Sequence, residues 1–240
     1  MSGKKRFFVE KIVGDEAFLT GEEFAHARTV LRVETGTELI LLDNSGTEYD
    51  GVVTSVGKRE IAVHVLGSHA GERETATDVK LIFGFLKNAD KNEFAVQKAT
   101  ELGIKEIAFF SSEYSSAYVN ENKLERLRKI AQESAKQCLR SRAPKIENYS
   151  SLKEALLSGT AYENKIFACE FLRKNQVDLK NLSGSCALVV GSEGGFSRAE
   201  FNMAQESGYK GVTLGKRILR AETAAVALTS VVMFALGELR

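Results

Sequence analysis

The sequence predicts an α/β protein: a parallel sheet with covering helices, preceded by a small β-barrel. Three observations carry this. Up to about residue 66, short strand-like runs follow one another at close spacing with one small helix between them. From Val79 the rhythm changes to strands alternating with helices, which predicts parallel pairing. Near the C-terminal end, two strand-to-loop-to-helix corners stand close together, Leu188–Glu200 and Gly211–Ala224.

The first corner is the most informative. Leu188-Val-Val190 is a β-branched apolar run that stops at Gly191, Gly194 and Gly195. Ser197 then precedes Glu200 by three residues, the spacing of a capping box that opens a helix. Such a turn lets backbone N–H groups approach a ligand closely. The second corner repeats the pattern, with Gly211–Leu214 as strand, Gly215-Lys-Arg217 as turn and a helix from about Ala221. The glycines do not form the G-x-G-x-x-G of a dinucleotide fold, no carboxylate stands at the matching downstream position, and no P-loop lysine pattern is present. From the glycines alone, two tight turns of an ordinary α/β core read equally well.

The chain in order supports the two-part plan. Phe7–Val9 is a short strand, and Thr20-x-x-Glu23 has capping-box spacing for a helix through Phe24, Ala27, Val30 and Leu31. Strand-like runs at 38–43, 49–56 and 60–66 are divided by Asn44-Ser-Gly46 and Gly57-Lys58. Residues 67–78 are small, polar and without periodicity, so the linker is placed there, with domains at 1–70 and 78–240. Strands follow at 79–85, 106–110, 165–169, 186–190 and 212–214. Helices are expected at 92–102, 123–140, 151–157, from Ser197 through Gly208, and 222–239. The last is apolar on nearly every face and must be buried, either inside one subunit or against a second.

Composition narrows function. The 240 residues carry a net charge of +1, so nucleic-acid binding must come from local patches. One such patch is the 123–145 region, with eight Lys or Arg against two Glu. It reads either as a solvated face or as a surface for an anionic partner. Residues 1–66 hold 8 basic and 11 acidic side chains, so the first module is not basic overall. The three cysteines are widely spaced and read as free thiols of a reducing compartment. The three histidines have no metal-ligand spacing, and no metal is expected. The N-terminus lacks the apolar core of a signal peptide, and the longest weakly polar run, 223–237, is too short to span a bilayer. A cytoplasmic protein without a membrane partner is the expectation.

G-S-E-G-G-F-S-x-x-E followed by L-G-x-R-I-L-R-x-E-T-A resembles the paired signature of the RsmE family, 16S ribosomal RNA uridine-N3 methyltransferases of the SPOUT superfamily. K-N-E-F-A-V-Q-K-A-T-E-L-G-I, and H-A-R-T-V-L-R with G-T-E-L-I-L-L-D-N-S-G-T-E-Y, extend the resemblance over the whole length. It implies a PUA-like RNA-binding barrel, a methyltransferase domain with a C-terminal trefoil knot, bound S-adenosylmethionine, a homodimer, and 16S ribosomal RNA or the small subunit as partner. Cofactor contacts then fall on Gly191, Ser192, Glu193, Gly194, Gly195, Leu214, Gly215, Ile218 and Leu219. Arg220 is the candidate cation for an anionic uracil, with Glu193 and Glu222 as candidate proton acceptors; Glu222 reads equally as a carboxylate at a helix N-terminus. RNA contacts are expected from Arg28 and Arg32 and from Arg126, Lys129, Lys136, Gln137 and Arg140, the last two fitting the family's Q-x-x-R. Two positions depart from the family pattern: Ser192 stands for a proline, and Tyr114 for an arginine.

Overall fold

A computed structural model describes residues 4–111, 119–170, 172 and 174–239. Tyr114 lies outside them. The chain divides into two compact units, residues 1–74 with 135–143, and 75–134 with 144–240.

The first unit holds β1 (Lys5–Phe8), β2 (Ile12–Val13), β3 (Glu16–Leu19), α1 (Gly21–Ala25), β4 (Glu38–Leu42), β5 (Thr47–Val56) and β6 (Ile61–Ala70). They form one sheet in the order β1-β4-β5-β6-β3-β2, with β1 and β4 parallel and the other pairs antiparallel. Alternate residues point inward, as the period of two requires. Phe7, Leu19, Leu39, Leu41, Ile61 and Val63 thus close a core with Ala27 and Val33. Register shifts at Asp50/Gly51 and Val53/Ser55 break the β5–β6 ladder, a device that bends a strand.

Three expectations change here. The strand β6 runs to Ala70, so the first part of the 67–78 linker is sheet. Thr20 makes no side-chain cap, and the Glu23 carboxylate that would complete the box is engaged elsewhere: its Oε1 accepts from Lys136 Nζ at 2.8 Å and from the Phe8 amide at 3.4 Å. The helix then widens into a π-helical turn over His26–Val30.

The second unit alternates strands and helices, with one strand, β9, that the sequence did not predict: β7 (Val79–Gly84), α2 (Ala89–Glu101), β8 (Glu106–Phe110), α3 (Glu121–Gln137), β9 (Lys145–Tyr149), α4 (Leu152–Leu157), β10 (Asn164–Ala168), a 3₁₀ turn (Leu179–Asn181), β11 (Cys186–Val190), α5 (Arg198–Glu206), β12 (Lys210–Val212) and α6 (Ala221–Ala235). Every pair in its sheet is parallel, in the order β12-β10-β11-β7-β8-β9. All residues of β7 and β11 are buried, as in a sheet covered on both faces.

Helix ends follow side-chain chemistry. Asn88 caps α2 by accepting from the Asp90 amide at 2.8 Å, so the helix starts before Asn92. Ser197 and Glu200 form the reciprocal capping box of α5, at 3.2 and 2.8 Å. The helix α3 stops at Gln137, short of the expected 140 and well before Pro144. Leu139 takes a left-handed φ of 64°, and the Arg140 amide returns to the Ala135 carbonyl at 2.8 Å, a Schellman-type ending.

Candidate active site

The strands β10, β11 and β12 end side by side, and a cleft of about 820 Å³ opens beyond their C-terminal ends. In an open parallel sheet this is where loops converge and ligands bind. Its walls are the chain after β11 (Gly191–Phe196), the chain after β12 (Thr213–Arg220), and the residues leaving β10, including Cys169 and Glu170.

The first loop is a tight turn in which the Gly195 amide donates to the Ser192 carbonyl at 3.0 Å. Gly195 has φ +65°, and a Cβ there would also lie 2.7 Å from Glu170 Oε1. A side chain is therefore strained by the backbone conformation and would also have to displace the end of the exposed Glu170 side chain. Phe196 anchors the loop: it is buried, and its ring lies 4.1 Å from that of Phe167. A Cβ on Gly191 would meet the Phe196 ring at 3.0 Å. Glu193 is exposed on the cleft wall, where Oε1 accepts from the Lys87 amide at 3.2 Å.

The second loop is tied at its start, where the Thr213 amide donates to Asn175 Oδ1 at 2.8 Å. Gly215 takes φ +106°. Arg220 is the N-cap residue of α6 with an extended backbone, and no side chain caps that helix. The guanidinium is exposed and lines the cleft, beside first-turn N–H groups that no side chain satisfies. Leu214, Gly215, Ile218 and Leu219 line the same space, although Ile218 is 89% exposed. All nine sequence-assigned cofactor positions are thus together on the cleft wall.

A family model described as an RNA methyltransferase domain matches residues 73–233, and an RNA methyltransferase PUA domain model matches residues 19–66. The ribosomal RNA small subunit methyltransferase E of Mesomycoplasma hyopneumoniae is 32% identical over 226 residues, covering 93% of this chain and 96% of that protein. The protein of the same name from Bacillus subtilis is 32% identical over 256 residues, covering 98% of each. The chain belongs to the ribosomal RNA small subunit methyltransferase E family.

A crystal structure of the family's Neisseria gonorrhoeae member bound to S-adenosyl methionine is 26% identical, with a TM-score of 0.86 over 98% of both chains. In the present family member the expected RNA-contact residues separate into two groups. Arg28 and Arg32 are exposed, as are Arg126 and Gln137 on α3, whereas Lys129 is half-buried. Arg28 donates to the Gly57 carbonyl at 3.1 Å, and Arg126 pairs with Glu93 at 2.6 Å.

Lys136 and Arg140 are instead buried and neutralised within the first unit, Lys136 by Glu23 at 2.8 Å and Arg140 by Glu74 at 2.9 Å. A buried guanidinium held by a carboxylate is a structural group, so the RNA contact expected of these two is withdrawn. Burial alone would raise the Glu74 pKa, but the Arg140 guanidinium and the Ser141 and Arg142 amides outweigh it and hold the carboxyl below its ordinary value.

Two site residues went unread in the sequence. Lys91, in the first turn of α2, lines the cleft and pairs with Glu222 at 3.4 Å. Gly84, at the end of β7, touches the glycine loop from below: a Cβ there would lie 2.4 Å from the Ser192 amide nitrogen. A glycine at a strand end beside another backbone is the one clue the sequence held for it.

Proposed function

We propose that the protein methylates N3 of a specific uridine in 16S ribosomal RNA, using S-adenosylmethionine. The observation that carries this is the pair of loops facing each other across one cleft, in a chain similar over nearly its full length to ribosomal RNA small subunit methyltransferases E.

The cleft fits the cofactor. Its volume lies within the usual range for small-molecule sites. Gly195 takes a φ of +65° that side chains rarely adopt, which keeps the turn tight and lets backbone groups of 191–195 approach the ligand. When bound, S-adenosylmethionine supplies the methyl group: the N3 lone pair forms the new C–N bond, the C–S bond breaks, and its electron pair stays on sulfur as a neutral thioether.

The chain's residues must prepare the nucleophile, because uridine N3 carries a proton. Arg220 is placed to stabilise the negative charge left as that proton departs, and Glu193 to receive it. Both sit on the cleft wall from different loops. Orientation is the remaining task, and the short, hydrogen-bonded turns of both loops serve it.

Three wider features belong to the same reading. A C-terminal trefoil knot is supported by the path of the chain: β12 pairs with β10, and α6 packs on β11, on α2 and on the 3₁₀ turn Leu179–Asn181. Asn175 and Gln176 accept from the amides of Thr213 and Gly211, at 2.8 and 2.7 Å. A homodimer is supported by an apolar stripe on α6, where Val231 is 43% and Phe234 71% exposed. In a cytoplasmic protein, RNA contacts of the first unit would come from the exposed Arg28, Arg32 and Gln137, and those of the second unit from Arg126 and Lys129.

Mass spectrometry of nucleosides from 16S ribosomal RNA, with and without the gene, tests the proposal. Loss of 3-methyluridine on deletion, restored by the purified protein and cofactor, is the expected result. Loss of a different modified nucleoside would move the activity to another RNA atom, and no change would refute it.

A further inference from the structure

Lys91 enters the cleft wall from outside both loops, and its setting is rigid. Asn88 caps its helix, and the buried Asn92 bonds to both the amide and the carbonyl of Leu86, at 2.9 and 2.8 Å. The ammonium lies 3.4 Å from Glu222 Oε1, while Glu222 Oε2 is buried with no hydrogen-bond partner. The pair is largely shielded, with side chains 28% and 13% exposed. A proton acceptor needs a free oxygen within reach of the substrate N–H. Glu222 turns one oxygen to a cation and has the other enclosed, so its geometry suits holding Lys91 rather than taking a proton.

Resting on the methyltransferase reading above, we propose that Lys91 is a second catalytic cation at the reacting uracil and that Glu222 is the residue that positions it. When N3 loses its proton to Glu193, the negative charge spreads onto the two ring carbonyl oxygens. Arg220 lines the cleft from the start of α6 and Lys91 from α2, so two cations from separate elements, Lys91 held by Glu222, serve one delocalised anion. Preorganised charges in a shielded site cost no reorganisation when the reaction occurs. A compact ammonium suits a single oxygen, where a guanidinium fork suits a planar pair. The cofactor's sulfonium is itself a cation that Lys91 does not attract, and the affinity measurement separates a role at the uracil from one at the cofactor's carboxylate. Removing Lys91 should leave cofactor affinity unchanged or tighter.

The test uses the full-length protein with Lys91→Met, Lys91→Arg, Glu222→Gln and the Lys91→Met/Glu222→Gln pair. Scanning calorimetry confirms that each folds, titration calorimetry gives cofactor affinity, and single-turnover methylation of 16S RNA is followed at saturating cofactor and RNA. Lys91→Met is expected to lose on the order of 100-fold in rate without weaker cofactor binding, and Lys91→Arg to recover part of it. Glu222→Gln should slow the wild type yet have no further effect in the Lys91→Met background. RNA containing 5-fluorouridine, whose N3 proton is more acidic, should shrink the Lys91→Met defect, which a merely structural role would not produce.

A normal rate in Lys91→Met overturns the proposal, as does weaker cofactor binding with a normal rate at saturation. An equal Glu222→Gln loss in both backgrounds overturns the positioning role and returns Glu222 to proton transfer. If the wild-type protein itself forms no methylated uridine, it is the methyltransferase reading that fails, and the Lys91 proposal falls with it.

Discussion

Gly84 and Ser192 meet backbone to backbone: a Cβ on Gly84 would stand 2.4 Å from the Ser192 amide nitrogen and 2.8 Å from the Gly191 carbonyl carbon. The end of β7 is thus the floor on which the glycine loop rests. Backbone cannot yield as a flexible side chain can, so Gly84→Ala must displace the loop. We expect a stability loss of about 1–3 kcal/mol, with weaker binding of S-adenosylmethionine in titration calorimetry. Unchanged affinity would show that the loop's position does not matter to the cofactor.

Gly195→Val tests the loop from above. Its φ of +65° disfavours any β-branched residue, and the new side chain would push aside the carboxylate of Glu170. The variant is expected to fold, since the loop lies outside the buried strands, and to lose cofactor affinity at least tenfold, about 1.4 kcal/mol. A calorimetric titration matching the wild type would remove this loop from the cofactor site.

Arg220→Ala should reduce single-turnover methylation on the order of 100-fold while changing cofactor affinity little. Arg220→Lys should lose less, since the charge is kept and the planar fork is not. The opposite pattern, weak cofactor binding with a normal rate at saturation, would make Arg220 a cofactor-binding group.

Glu74 holds Arg140 at 2.9 Å and also accepts from the amides of Ser141 and Arg142. Removing it strands a buried guanidinium, so Glu74→Ala should cost on the order of 3 kcal/mol in urea denaturation. The pH dependence has a definite sign. The folded carboxyl titrates below its ordinary 4.5, so its contribution is complete above that pH and is lost as pH falls through the lower folded value. The gap between wild type and Glu74→Gln should therefore narrow only in acid; a gap that widens there would contradict the assignment.

Phe234, 71% exposed on α6, is the test of assembly. Phe234→Asp places a charge on the apolar stripe, and light scattering should show the proposed dimer shifted to monomer. A variant that stays dimeric would put the subunit contact elsewhere.

Much of the site was legible because it is written locally. The three glycines after Val190, the Ser197–Glu200 box and the apolar run of β11 each depend on residues a few positions apart, and each appears where expected. Spacing carries such features because backbone conformation and capping are decided by near neighbours. The same local rule misled at Thr20, where the spacing is right but Glu23 is drawn to Lys136.

What the sequence by itself determined is the alternation of most strands and helices after Val79, though not β9, and the two loops that meet at the cleft. Tertiary structure alone decided which charges are free to act. Lys136 and Arg140 belong to the basic stretch read as a face for RNA, yet packing buries them against Glu23 and Glu74 from the N-terminal part of the chain. Lys91 and Glu222 come together only because α2 and α6 pack on each other. A charge must be solvated or paired, and which of the two it meets depends on the surfaces that folding closes, so distant sequence neighbours settle the role of each.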